Sequence, residues 1–241
     1  MNDVILVIGA SSDIGVRLIS SLGSESTVLA HYHSSPQAFD EIKTLSSCHI
    51  YPIQADLTDE NSVRNMISSV RESHGVPSKI VFLASNRIEN VRFKDIKWSD
   101  FSETIDVGLK PAVIILQDFL PEMAKRKMGK VVFMLSSYVQ GTPPKALSHY
   151  TVTKYALLGL ANSLAAEYAT HNIQVNSVSP SMINTRFLQN INPRIVELTA
   201  EGHPLKRNAT VDDIVPVLSL LLSSGSDYIT GVNIPITGGG K

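Results

Sequence analysis

The sequence predicts an α/β fold: a single doubly wound sheet of about seven parallel strands flanked by helices. Three observations predict it. Short β-branched runs alternate with longer amphipathic stretches along the chain. Several of the short runs are apolar at nearly every position, as parallel strands covered on both faces are. A turn of small residues, "GASSDIG" (Gly9 to Gly15), joins the first apolar run to the first amphipathic one. The chain has 241 residues, a usual length for one open sheet, and no Pro/Gly/Ser linker, repeat or low-complexity tract divides it. Residues 1–241 therefore read as one domain.

The elements follow in order. Val4–Ile8 is the first strand, because the run "VILVIGA" is apolar and far too short to span a bilayer. Asp13–Leu22 is the helix that leaves the small-residue turn. The runs Thr27–Tyr32, His49–Gln54, Ile80–Ala84, Val131–Leu135, Gln174–Val178 and Val232–Ile236 supply the remaining strands. Between them, Gln37–Leu45, Glu60–His74, Trp98–Arg126, Tyr150–His171 and Val211–Ser223 read as helices. Pro180–Lys206 is the longest irregular stretch. It has room for a short helix, and the segment 181–206 is read as a substrate lid.

Composition excludes several functions. Hydrophobic residues make up 43% of the chain, enough for a large core, and charged residues 18%, with a formal net charge of -1. That balance offers no basic footprint for nucleic acid and no polybasic membrane patch. Cys48 is the only cysteine, so no internal disulfide can form, and a reduced, cytoplasmic setting is expected. No targeting signal is legible at the start. His31 and His33 have no matching ligand set, so no metal site is expected.

The chemistry begins at the glycine turn. Gly9, Ser11, Ser12, Ile14 and Gly15 let the backbone approach a pyrophosphate, whose charge suits the positive end of the following helix. Asp13 brings a carboxylate into that turn; it could face the phosphates, or cap backbone amides and point outward. Asp56 and Leu57, in "QADLTD", follow the third strand, where an aspartate could accept from an adenine amino group or cap the next helix. Tyr150 and Lys154 stand one helical turn apart, which places an ammonium beside a phenol. Unperturbed, tyrosine titrates near ~10, so a nearby positive charge is expected to bring the phenol toward neutrality and fit it for proton transfer.

Together "GASSDIG", "ADLTD", "VVFMLSS", "YTVTK", "NIQVNSVSPSMINT" and "YITGVNIPITGG" resemble the short-chain dehydrogenases/reductases over essentially the full length. The likeness includes the 3-oxoacyl-carrier-protein reductase branch, and it implies a Rossmann-type fold and hydride transfer between a nicotinamide nucleotide and a small-molecule carbonyl or alcohol. It assigns Ser137, thirteen residues before Tyr150, to hold the carbonyl oxygen. Tyr150 becomes the proton donor, and Lys154 also serves the nicotinamide ribose. Ala84, Pro180, Ile183 and Thr185 match further cofactor contacts. The sequence departs from the family at "FLAS" (Phe82–Ser85), which stands for Asn-Asn-Ala-Gly, and at Gly108, which stands for the helix asparagine of the proton relay. Lesser departures are Asp13 and Ser181, each in place of a glycine. Pro111 follows Gly108 closely, so a helix distortion is expected there.

The position after the second strand that holds an acid in NAD users is Tyr32, while His33, Ser34 and Ser35 could donate to a 2′-phosphate. NADP(H) is therefore favoured over NAD(H). Two other functions stay open: a dinucleotide-binding sensor or scaffold with little turnover, and a sugar or polyol dehydrogenase. "YALLGLANSLAAEY" is apolar or small almost all round its helix, so a homo-oligomer, a tetramer or dimer, is expected.

Overall fold

Period-two alternation decides which core each strand residue joins. On β1 (Asp3–Ile8), Leu6 and Ile8 enter one core while Ile5 and Val7 enter the other. β5 (Gly129–Met134) divides in the same way, Val131 and Phe133 against Val132 and Met134. These strands read as unbroken apolar runs because both of their faces are covered.

The computed structural model describes residues 3–240; Met1 and Asn2, at the start read as carrying no targeting signal, and Lys241 lie outside the described residues. Seven parallel strands run in the order β3-β2-β1-β4-β5-β6-β7, the others being β2 (Ser26–Tyr32), β3 (His49–Gln54), β4 (Lys79–Phe82), β6 (Ile173–Pro180) and β7 (Asn233–Ile236). α1 (Asp13–Ser20), α2 (Ala38–Leu45) and α7 (Val211–Leu222) pack on one face. α3 (Glu60–His74), α4 (Trp98–Arg126) and α5 (Ser148–Tyr168) pack on the other. Strand order reverses between β1 and β4, and the carboxyl ends there open the crevice in which such sheets bind ligands.

Element ends differ from expectation for local reasons. β4 stops at Phe82 because the Leu83 and Ala84 amides both turn to the Ile8 carbonyl, at 2.8 and 3.1 Å. In "FLAS", Phe82 stacks on Phe133 with centroids 4.9 Å apart, and Leu83 enters the opposite core. α5 ends at Tyr168; a 3-10 turn (Ala169–His171) follows, and Asn172, at φ 56°, takes the left-handed conformation that stops it. The irregular stretch holds α6 (Pro193–Gly202), whose Asn192 side chain accepts from the Arg194 amide and whose first residue is proline. α4 stays helical through Gly108 and Pro111. Among the described residues, no helix is long and apolar enough to cross a membrane.

Candidate active site

The turn after β1 is shaped for close approach. Gly9 has φ 87°, and a Cβ there would lie 2.7 Å from the Ala84 amide nitrogen, so only glycine lets β1 and the end of β4 meet. A Cβ on Gly15 would strike the Ala10 carbonyl. Ser12 caps α1 by accepting from the Gly15 amide at 3.1 Å. Among the described residues, the Asp13 and Ile14 amides donate to no protein acceptor. Free donors at a helix N-terminus, with a backbone that a side chain would obstruct, fit a nucleotide pyrophosphate.

The cap of α1 is Ser12, and Asp13 turns to Arg186. Its carboxylate accepts from the Arg186 amide at 2.7 Å and from Arg186 Nε at 2.5 Å, while Arg186 Nη2 reaches the Ser11 carbonyl at 3.1 Å. Beside the turn, His31 is buried: its Nδ1 accepts from the Gly9 amide and its Nε2 faces the Ala55 carbonyl, each at 3.1 Å. Those partners require the neutral ring with its proton on Nε2, and burial lowers its pKa to about 4. Sequence reasoning missed this role; a histidine at the inward end of an apolar strand was the available signal.

The nucleoside side is more open. Tyr32 turns its ring edge-on to Phe39, with centroids 5.3 Å apart, while His33 and Ser34 are exposed. His33 Nε2 lies 3.9 Å from Asp56, whose carboxylate accepts from both the hydroxyl and the amide of Thr58, which hold its pKa down. Asp56 closes the turn at Thr58, while the cap of α3 belongs to Asp59, whose carboxylate accepts from the Asn61 and Ser62 amides at 3.0 and 3.2 Å. Leu57 is buried in the core, so its backbone is what it offers a ligand.

Tyr150 and Lys154 are brought together deep in the site. Lys154 is buried, donates to the Met134 carbonyl at 2.9 Å, and its Nζ sits 5.4 Å from the Tyr150 ring centroid. Burial lowers its pKa to about 8. Burial raises the Tyr150 pKa above the usual tyrosine range, against the expected drop toward neutrality. Desolvation of the phenolate wins here, because the ammonium is directed at a backbone carbonyl and lies over the ring face. The Ser136 side chain is the one that pulls the phenol's pKa back in part. Ser136 also accepts from the Tyr138 amide at 3.3 Å, while the buried Ser137 opens a 3-10 turn whose carbonyl accepts from Gln140. Two adjacent serines at a strand end lie one step apart, and spacing from Tyr150 alone does not choose between them.

The family model described as enoyl-(acyl carrier protein) reductase matches residues 11–241. The 3-oxoacyl-(acyl-carrier-protein) reductase of Staphylococcus epidermidis is 30% identical over 247 residues, covering 99% of both chains. The chain belongs to the short-chain dehydrogenase/reductase family. Solved structures share its fold. A 3-oxoacyl-(acyl-carrier-protein) reductase from Brucella melitensis with bound NAD has a TM-score of 0.87 at 22% identity, covering 99% of this chain and 90% of that one. An ElxO variant with NADPH bound has a TM-score of 0.86 at 23% identity, covering 99% and 98%. This short-chain dehydrogenase/reductase is an NAD(P)-dependent oxidoreductase acting on CH–OH and C=O groups.

In this reductase fold the β6 loop completes the crevice. Pro180 ends β6, and Ile183 bridges to Ala209, with the Asn184 and Ala209 amides each bonded across the stem at 2.9 Å. Thr185 leads into the 3-10 turn Arg186–Leu188. Phe187, Ile191 and Val196 from this segment join Ile88, Tyr138 and Leu147 in an apolar cluster around Tyr150. On α4, the space a side chain at Gly108 would need is taken: a Cβ would lie 2.9 Å from Thr153 Cγ2. Thr153 itself donates to the Thr104 hydroxyl and is within 3.1 Å of the His149 carbonyl. Among the described residues no cluster of His, Cys, Asp or Glu could hold a metal ion.

Proposed function

We propose that this oxidoreductase acts on carbonyls with apolar flanks, or the matching alcohols, using NADP(H) in preference to NAD(H). The observation that carries the reading is the apolar cluster around the buried Tyr150 phenol. A polyol would have to surrender its water to a wall that offers few partners, at a cost per unsatisfied hydroxyl of about 1–3 kcal/mol. A chain retained only for nucleotide binding would have no need of a buried phenol and ammonium side by side.

The nucleotide would be held by Gly9, Ser11, Ser12, Ile14 and Gly15 at its phosphates, by Tyr32, His33, Ser34, Asp56 and Leu57 at its adenosine end, and by Ala84, Lys154, Pro180, Ile183 and Thr185 at its nicotinamide end. When bound, the nicotinamide supplies or takes the hydride. Tyr150 gives its phenolic proton to the carbonyl oxygen, or takes it back in the reverse direction. A serine hydroxyl at the end of β5 orients that oxygen. The ammonium of Lys154 favours the phenolate once the proton has gone. The lid, residues 181–206, excludes water from the exchange. Tyr32 in place of an acid, with His33 and Ser34 exposed beside it, supports the preference for a 2′-phosphate. A homo-oligomer and a cytoplasmic setting complete the proposal.

The test is a substrate panel followed at the nicotinamide absorbance with both nucleotides. Ketones with alkyl, aryl or acyl flanks, 3-oxoacyl thioesters included, are expected to be reduced, and faster with NADPH. Polyol oxidation with NAD outpacing every ketone would contradict the reading.

A further inference from the structure

The two halves of the nucleotide site are joined by one ion pair. Asp13 is the first residue of α1, whose N-terminus carries the free Asp13 and Ile14 amides. Arg186 opens the 3-10 turn directly after Thr185, at the base of the lid. The carboxylate receives the Arg186 amide and Nε at 2.7 and 2.5 Å, and the guanidinium also reaches the Ser11 carbonyl within the glycine turn. Ser12 already caps the helix, so Asp13 is not needed for that purpose. Its side chain is 25% exposed and that of Arg186 58% exposed, and among the described residues the side-chain hydrogen bonds of the two groups are this pairing and the Ser11 contact.

An unpaired carboxylate at this helix end would oppose a pyrophosphate. Paired, its charge is cancelled, and the β6 loop is tied to the turn that cradles the phosphates. We propose that Arg186 is a cofactor-positioning residue that acts through Asp13, clasping the β6 loop onto the phosphate turn and masking the carboxylate from the pyrophosphate. The inference rests on the nucleotide-dependent reading above. It predicts an asymmetry that a merely structural ion pair would not give. Losing Arg186 removes the clasp and bares a negative charge, whereas losing both residues removes the clasp alone.

The experiment is calorimetric titration of NADPH and NADH into the full chain and its Arg186→Ala, Arg186→Lys and Asp13→Ala/Arg186→Ala variants, with thermal melts as the control for folding. Arg186→Ala is expected to raise Kd about ten-fold, with the loss appearing in nucleotide KM more than in kcat and narrowing as salt is added. The double variant should bind more tightly than Arg186→Ala alone. Arg186→Lys, which keeps the charge but not the fork, should fall between the parent and Arg186→Ala, and it carries the test if the alanine variant melts early. Parent-like binding by Arg186→Ala, or a double variant no better than the single, would overturn the clasp. A parent chain that binds neither nucleotide would overturn the functional reading and the clasp with it.

Discussion

Burial sets the ionisation of the site residues. It raises Tyr150 and lowers Lys154 to about 8, so without nucleotide the phenol is a proton-bearing acid next to an ammonium that is easily discharged. The adjacent serines divide the remaining work. Ser136→Ala is expected to lower kcat/KM more than Ser137→Ala, since the Ser136 side chain is the one that lowers the phenol's pKa. Steady-state kinetics of the two variants would return the role to Ser137 if the order were reversed. His31 gives a separate, stability-based prediction. Its folded pKa of about 4 lies below the unfolded value of 6.5, so the unfolded chain takes up the proton first as pH falls. Its stabilising effect is complete above pH 6.5 and is lost on acidification toward about 4, a decline of roughly 3 kcal/mol. Denaturant midpoints across that window should fall steeply for the parent and less for His31→Gln. Equal slopes would show that the buried ring is not the group responsible.

At the scale of elements, α4 and α5 hold the departure that matters most. Gly108 costs helix stability, yet Thr153 Cγ2 occupies the place its Cβ would take. Gly108→Ala should gain about 1 kcal/mol of helix propensity and lose more to overpacking against a stiff β-branched side chain, for a net loss of about 1 kcal/mol. In a Thr153→Ser background, which removes the methyl and keeps the hydroxyl bonded to Thr104, the same change should stabilise. Chemical denaturation of the four proteins checks this; a Gly108→Ala penalty unchanged by Thr153→Ser would rule out the clash. Helices α3 and α4 were legible in sequence to the residue, and the strand ends to within two residues, because their caps and apolar runs are local. The space beside Gly108 was not, since it depends on a threonine of another helix. The end of β4 was also hidden, because it is set by which carbonyl the Leu83 and Ala84 amides find.

The whole molecule leaves part of α5 facing outward, with Val152 and Tyr155 exposed and no atom near where a Cβ on Gly159 would lie. A second copy packed on this face would cover it. Sedimentation at micromolar concentration is expected to give a multiple of the chain mass; a single monomeric species would remove the oligomer from the proposal. The site as a whole was readable from sequence where chemistry and spacing coincide, at Gly9, Tyr150 and Lys154. It was unreadable where distant segments meet, as at Asp13 with Arg186 and at His31 with Ala55. In the proposed reaction the Tyr150 phenol passes the proton in a nucleotide-dependent carbonyl reduction. The most direct measurement compares turnover and nucleotide affinity in Tyr150→Phe. A fall in kcat of about 10²–10⁴, the usual contribution of a positioned acid, is expected, with NADPH affinity close to the parent's. Turnover equal to the parent's would contradict it.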